Sequence, residues 1–236
     1  MRRYLPLIIS IGVISMTSLL SIPGSPFLIG GLTQADISAK YQTPITPAGF
    51  TFSIWSLIYL SWIVAGCYLA FYRKKHQKIG TGIFVFLGAQ ILSGIWLLPW
   101  GFEWMGTALL VMLLILGALW YSFFHTKNED WIVRSSIELT MAWIHIATFA
   151  NTAVWLKYLG IVNSENSIIW GIIILSVAFL ATLIFQLKFR AHIVSIVFLW
   201  ASIGIFWGQP YTIEINFLLF YAIGILMALV FSQLRR

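Results

Sequence analysis

Apolar residues in this chain fall into long unbroken runs, separated by short polar stretches. Eight such runs, at about 4–22, 52–72, 80–98, 105–124, 135–156, 167–187, 192–208 and 214–233, hold few charged side chains. Each has about the 17–25 residues that a helix needs to cross a ~30 Å hydrocarbon core. The expected fold class is therefore an all-α membrane protein of about eight transmembrane helices. The connections between runs are short, so successive helices are expected to be antiparallel neighbours. The exception is 23–50, rich in Pro, Gly and Thr, within which TQADISAK suits a short helical turn. A long loop between tightly connected helices suits a lid or binding loop, and equally a plain connector. The first run, preceded by MRR, could also be a signal peptide. The SIPGS that follows it lacks a small-x-small cleavage site, which favours a retained helix.

Charge patterning supports this reading. With the N-terminus inside, the cytoplasmic segments hold twelve Lys and Arg, among them Arg2, Arg3, Arg73, Lys74, Lys75, Lys78, Arg235 and Arg236. Only Lys40 and Lys157 fall outside. Such a bias places both termini in the cytoplasm and the protein in a membrane of the bacterial cytoplasmic type. Composition agrees, with 60% hydrophobic and 9% charged residues, far from the roughly 25% charge of soluble domains. The net charge of +7 is explained by the same inside-positive bias, and no extramembrane domain is expected to hold nucleic acid. The single cysteine, Cys67, cannot form an intrachain disulfide, and no Cys/His set has zinc spacing.

One run is too polar and too aromatic for lipid alone. Between Arg134 and Lys157 it contains Glu138, Trp143, His145, Asn151 and Trp155. At ~100° per residue, Trp143, Ala147, Asn151 and Trp155 share a stripe about 120° wide, while Glu138 and His145 lie on roughly the opposite side. The stripe makes a plausible wall for a flat apolar ligand with a polar edge, although packing and interface tryptophans would look similar. Asn151 is the more specific signal, because a buried amide wants several hydrogen-bond partners. Glu138 and His145 could form a polar relay. Equally, Glu138 could pair with Arg134 one turn away, and His145 could bond across to later helices. His76, His125 and His192 fall in basic loops and are expected to be solvated.

Several chemistries find no support. No lysine lies inside a predicted span, which excludes a retinal Schiff base, and there is no phosphate-binding loop. No carboxylate pair, metal cluster or Ser/His/Asp arrangement offers hydrolytic chemistry, so the weight lies against an enzyme.

Three separated stretches resemble the TspO/MBR family of tryptophan-rich sensory or translocator proteins. TPAGFTFSIWSLIY at 46–59 is similar to the family's Pro-rich loop end and following helix, through Pro47, Gly49, Phe52, Trp55 and Tyr59. QILSGIWLLPWG at 90–101 resembles its Asn-x-x-Trp motif, with Ser93 in place of the Asn and Trp96 matching. Trp143, Ala147, Asn151 and Trp155 match the fifth family helix at every position of the pattern. The resemblance implies a TspO-like five-helix transmembrane bundle over 1–157. Family members end there, so 158–236 is expected to be a C-terminal three-helix transmembrane extension.

What the resemblance further implies is a cavity opening toward the 23–50 loop. Relatives bind porphyrins, sterols or similar flat apolar molecules, so a porphyrin or haem is the implied ligand, and no cofactor is otherwise indicated. Binding would fall to Trp143, Ala147, Asn151, Trp155, Trp55, Tyr59, Trp96 and Ser93. Partners would be the lipid bilayer, a small apolar ligand and a second copy of the chain in a homodimer. Sensing or transport is the implied role. Proton-coupled transport through Glu138 and His145, or porphyrin breakdown, stand as alternatives.

Overall fold

The computed structural model describes residues 2–73, 79–208 and 213–234. His76 and the basic residues Lys74, Lys75, Lys78, Arg235 and Arg236, which carry part of the charge argument, lie outside the described residues. Among those described there is no strand. Helix α1 spans Leu5–Leu19, α2 is the short Gln34–Lys40, and α3 spans Ile54–Cys67. The longer α4 (Thr81–Ile95) is followed by the five-residue α5 (Leu97–Gly101). The remainder are α6 (Met105–His125), α7 (Trp131–Tyr158), α8 (Ser167–Phe189), α9 (His192–Gly208) and α10 (Ile213–Leu234). All eight apolar runs are helical. By length and composition, six helices can cross a membrane: α3 with its flanking turns (Gly49–Tyr72), α4 with α5 (Thr81–Gly101), α6, α7, α8 and α10. Helices α1 and α9 are apolar but shorter.

Local chemistry explains where the elements start and stop. Pro6 sits in the first turn of α1, where its missing N–H costs nothing. Thr33 and Asp36 form a reciprocal capping box that nucleates α2 in the predicted TQADISAK stretch. Asp130 accepts from the Ile132 N–H and so starts α7 earlier than hydropathy alone suggests. The break between α4 and α5 is set by Pro99, which has no N–H to offer the Ile95 carbonyl. At the far end of α3 the chain widens into a π turn over Tyr68–Tyr72, closed by the Arg73 N–H bonding to the Tyr68 carbonyl.

Antiparallel packing of neighbours holds only in part. Helix α6 packs along α4 and α7, α1 lies on α3 and α4, and α3 lies against α7. Helices α8 and α10 pack together, and α9 sits against α7, α8 and α10. Helix α7, the stretch with most polar residues, is thus enclosed from both sides, whereas about a fifth of the α10 span is buried. Polar pairs pin the first bundle. The Trp62 indole donates to Thr140 Oγ1 at 2.9 Å, Ser61 and Ser136 meet at 3.0 Å, and Ser10 donates to Gln90 at 2.9 Å. Between α8, α9 and α10, the buried Gln186 accepts from Ser195 and bonds to His192 and Gln233. His192 is therefore engaged rather than solvated.

The loop ahead of α3 docks on α9. The Ala48 N–H donates to the Gly204 carbonyl at 2.9 Å, and the Trp200 indole donates to the Thr51 carbonyl at 2.9 Å. The contact depends on two glycines. A Cβ on Gly204 would stand 2.0 Å from Thr51 Oγ1, and one on Gly208 would stand 2.7 Å from the Ala48 nitrogen.

Candidate functional site

Where α3, α4, α7, α8 and α9 meet, the fold encloses a cavity of about 460 Å³, within the range of small-molecule sites. Helix α7 contributes Trp143, Ile146, Ala147, Phe149, Ala150, Asn151 and Val154. Helix α3 contributes Trp55, Ser56 and Tyr59, and the α4–α5 junction contributes Ser93, Trp96, Leu97 and Trp100. Phe52 meets Trp143 edge-on at 6.3 Å, Trp55 lies 5.5 Å from Tyr59, and Trp96 stacks on Trp100 at 4.9 Å. Seven of the eight residues singled out from the sequence therefore line one space, although they come from three separate helices.

Trp155 does not. Its ring lies against Gly106 at the start of α6, where an added Cβ would come within 3.2 Å of the indole nitrogen. The reason is helical drift. Each four-residue step overshoots a full turn by ~40°, so three steps from Trp143 carry Trp155 ~120° round the helix. Val154, eleven residues after Trp143, returns to within ~20° of its direction and lines the cavity instead.

Two residues of the lining each hold one buried polar atom without a hydrogen-bond partner among the described residues. Asn151 uses its Nδ2 to donate to the Ala147 carbonyl one turn back at 3.0 Å, which leaves its Oδ1 unsatisfied. The Trp96 indole N–H is the second. Other hydroxyls of the wall are used locally, as Ser93 donates to the Ala89 carbonyl and Ser202 to that of Phe198. Among the described residues of the lining none carries a formal charge.

Helix α2 forms one end of the cavity through Thr33, Gln34, Ala35 and Ser38. It is tied down at its C-terminus. Lys40 Nζ approaches Glu103 at 2.6 Å, the Tyr41 hydroxyl donates to the same carboxylate at 2.5 Å, and Lys157 Nζ reaches the Gln42 carbonyl. The hydrogen bonds from Lys40 and Tyr41 hold the Glu103 carboxyl below its ordinary value. Burial, reinforced by that carboxylate, pushes the Tyr41 phenol up to about 12.

Glu138 and His145 lie outside the cavity, on the side of α7 that meets α8 and α9. Glu138 accepts from the Ile193 N–H in the first turn of α9 at 3.1 Å. Arg134 instead reaches the Lys127 carbonyl and sits 5.2 Å from the Phe123 ring. His145 is enclosed by Phe149 and Phe185, at 5.4 and 5.5 Å, and neither ring nitrogen has a hydrogen-bond partner among the described residues.

Sequence reasoning missed an entire wall. Ile174, Leu175 and Ala178 of α8 and Phe198, Ala201, Ser202 and Ile205 of α9 face the same cavity. The signal was present as periodicity, since 198, 201, 202 and 205 follow the i, i+3, i+4, i+7 pattern of one helix face. In an apolar helix that pattern does not stand out from its surroundings.

No curated protein and no solved structure matches the chain. A family model does, that of the TSPO-like proteins, and the match runs over residues 4–233, taking in α8, α9 and α10 as well as the helices before them. A membrane protein by its helices, with an aromatic cavity built on α3 and α7, the chain belongs to the TSPO-like family.

Proposed function

We propose that this protein holds a small, flat, largely apolar ligand of the tetrapyrrole or sterol-like class in the cavity between α3, α7 and α9, for sensing or transport in the membrane. One observation carries the reading. Residues marked by family pattern in α3 and α4, and by helical spacing as well in α7, converge on a single cavity of about 460 Å³. Aromatic faces at Trp55, Trp96 and Trp143 offer the stacking and dispersion contacts that a planar ligand uses. Ala147 contributes by being small, leaving space that a longer side chain would fill. The α2 segment supports a lid role, because few but specific contacts hold it over one end of the cavity.

Tryptophan fluorescence of the purified full chain, titrated with protoporphyrin and with a fluorescent sterol, tests the reading. Quenching by at least one probe is expected, weakened in both Trp143→Ala and Asn151→Ala. Quenching unchanged in both variants would place the ligand elsewhere and remove the proposal. Mass and absorbance of whatever co-purifies with the protein give an independent answer.

A further inference from the structure

The cavity's chemistry restricts the charge of what it holds. We infer that the occupant is electrically neutral, and that it presents a hydrogen-bond donor to Asn151 Oδ1 and an acceptor to the Trp96 indole. This rests on the proposed reading of the cavity as a ligand site and narrows its ligand class.

Three observations carry it. First, none of the described residues lining the cavity is charged. The cations that tie down the lid are already engaged, Lys40 of α2 with Glu103 and Lys157 of α7 with the Gln42 carbonyl. A carboxylate drawn inside would lose its water and meet no compensating cation, which is strongly unfavourable. Second, Asn151 and Trp96 are each more than nine-tenths buried, and each keeps one polar atom unpaired. An unpaired buried acceptor and an unpaired buried donor are costly, so a ligand supplying their complements gains from both. Third, the polarity of the two atoms is determined by their surroundings. Asn151 Nδ2 is committed to the Ala147 carbonyl, so only the amide oxygen is free, and an indole nitrogen can only donate. A hydroxyl or an outward-pointing N–H suits the first, and a carbonyl or ether oxygen suits the second.

A matched pair of probes separates charge from shape. Protoporphyrin and its dimethyl ester share one ring system, whose N–H groups point into the macrocycle, and differ only in whether two carboxylates are ionised or masked as neutral carbonyl acceptors. With the full chain in nanodiscs, and partition into empty nanodiscs subtracted, the ester should bind at least about tenfold more tightly than the diacid. Asn151→Leu should weaken binding of a fluorescent sterol, whose hydroxyl can donate to Oδ1, more than that of the ester, which has no outward donor, with a thermal melt confirming that the variant is folded. Sterol binding indifferent to the change would overturn the role of Asn151. Ser21→Lys, which adds a cation to the lining, should strengthen diacid binding and leave the ester unchanged. Diacid binding equal to or tighter than ester binding would overturn the inference while leaving the cavity as a ligand site. Quenching by neither probe would overturn this inference along with a tetrapyrrole reading of the cavity.

Discussion

Replacing Gly204 with alanine is the most demanding test of how α9 joins the cavity wall. The new Cβ would lie 2.0 Å from Thr51 Oγ1, 2.7 Å from its Cγ2 and 2.9 Å from its Cβ. Ordinary contact begins near 3.4 Å, so Thr51 must retreat by about 1.4 Å (3.4 less 2.0). A rotamer change cannot achieve that, because the Thr51 Cβ itself is too close and the side chain is fully buried. Overpacking of this severity costs about 3 kcal/mol. Straining the hydrogen bond between the Ala48 N–H and the Gly204 carbonyl adds about 1 kcal/mol. The better helix propensity of alanine returns about 1 kcal/mol. The net loss of about 3 kcal/mol corresponds to a melting temperature lowered by roughly 6–12 °C for a chain of this size. Thr51→Ala removes the two nearest atoms, and the lost hydroxyl has no hydrogen-bond partner among the described residues. That single change should therefore be nearly neutral, and the double variant should recover at least about half of the Gly204→Ala loss, a coupling expected only between residues in contact. Thermal melts of the four proteins in one detergent read the cycle. A Gly204→Ala protein as stable as the parent, or strictly additive effects, would refute the α9–loop contact.

Other expectations concern the cavity and its lid. Ala147→Leu should fill space beside Trp143 and Asn151, holding or raising the melting temperature while probe quenching falls about tenfold or more. Trp155→Phe should leave probe affinity unchanged, since that ring packs on α6. Glu103→Gln should weaken the anchoring of α2 by about 1–2 kcal/mol, the combined worth of a half-exposed ion pair and a charge-assisted hydrogen bond. Hydrogen exchange across 34–42 measures it, and protection equal to the parent would exclude Glu103 as the anchor. Acidity should act in the same direction. Glu103 has its carboxyl lowered on folding, so its contribution is complete above the ordinary value of 4.5 and fades as pH falls through the lower folded value. Tyr41 is raised to about 12, so its share is complete below 10 and is lost only as pH rises toward 12. After correction for intrinsic exchange rates, lid protection should be level between about pH 6 and 9 and drop in acid.

Sequence alone determined the helices, because a bilayer core leaves a chain of this hydropathy almost no other choice. It also marked Trp55, Tyr59, Ser93, Trp96, Trp143, Ala147 and Asn151 as a group, since family pattern and helical spacing both act within single helices. Tertiary structure decided the rest. Trp155 leaves the group because a four-residue repeat drifts around a 3.6-residue helix, and whether that drift matters depends on what stands opposite. Glu138 meets the start of α9 rather than Arg134, and His145 meets Phe185, as contacts between helices are set by packing angles that no single helix encodes. The wall from α8 and α9 was hidden for the same reason. Every face of an apolar helix reads alike until a Gly204 or a Gly208 lets one of them close on the loop before α3.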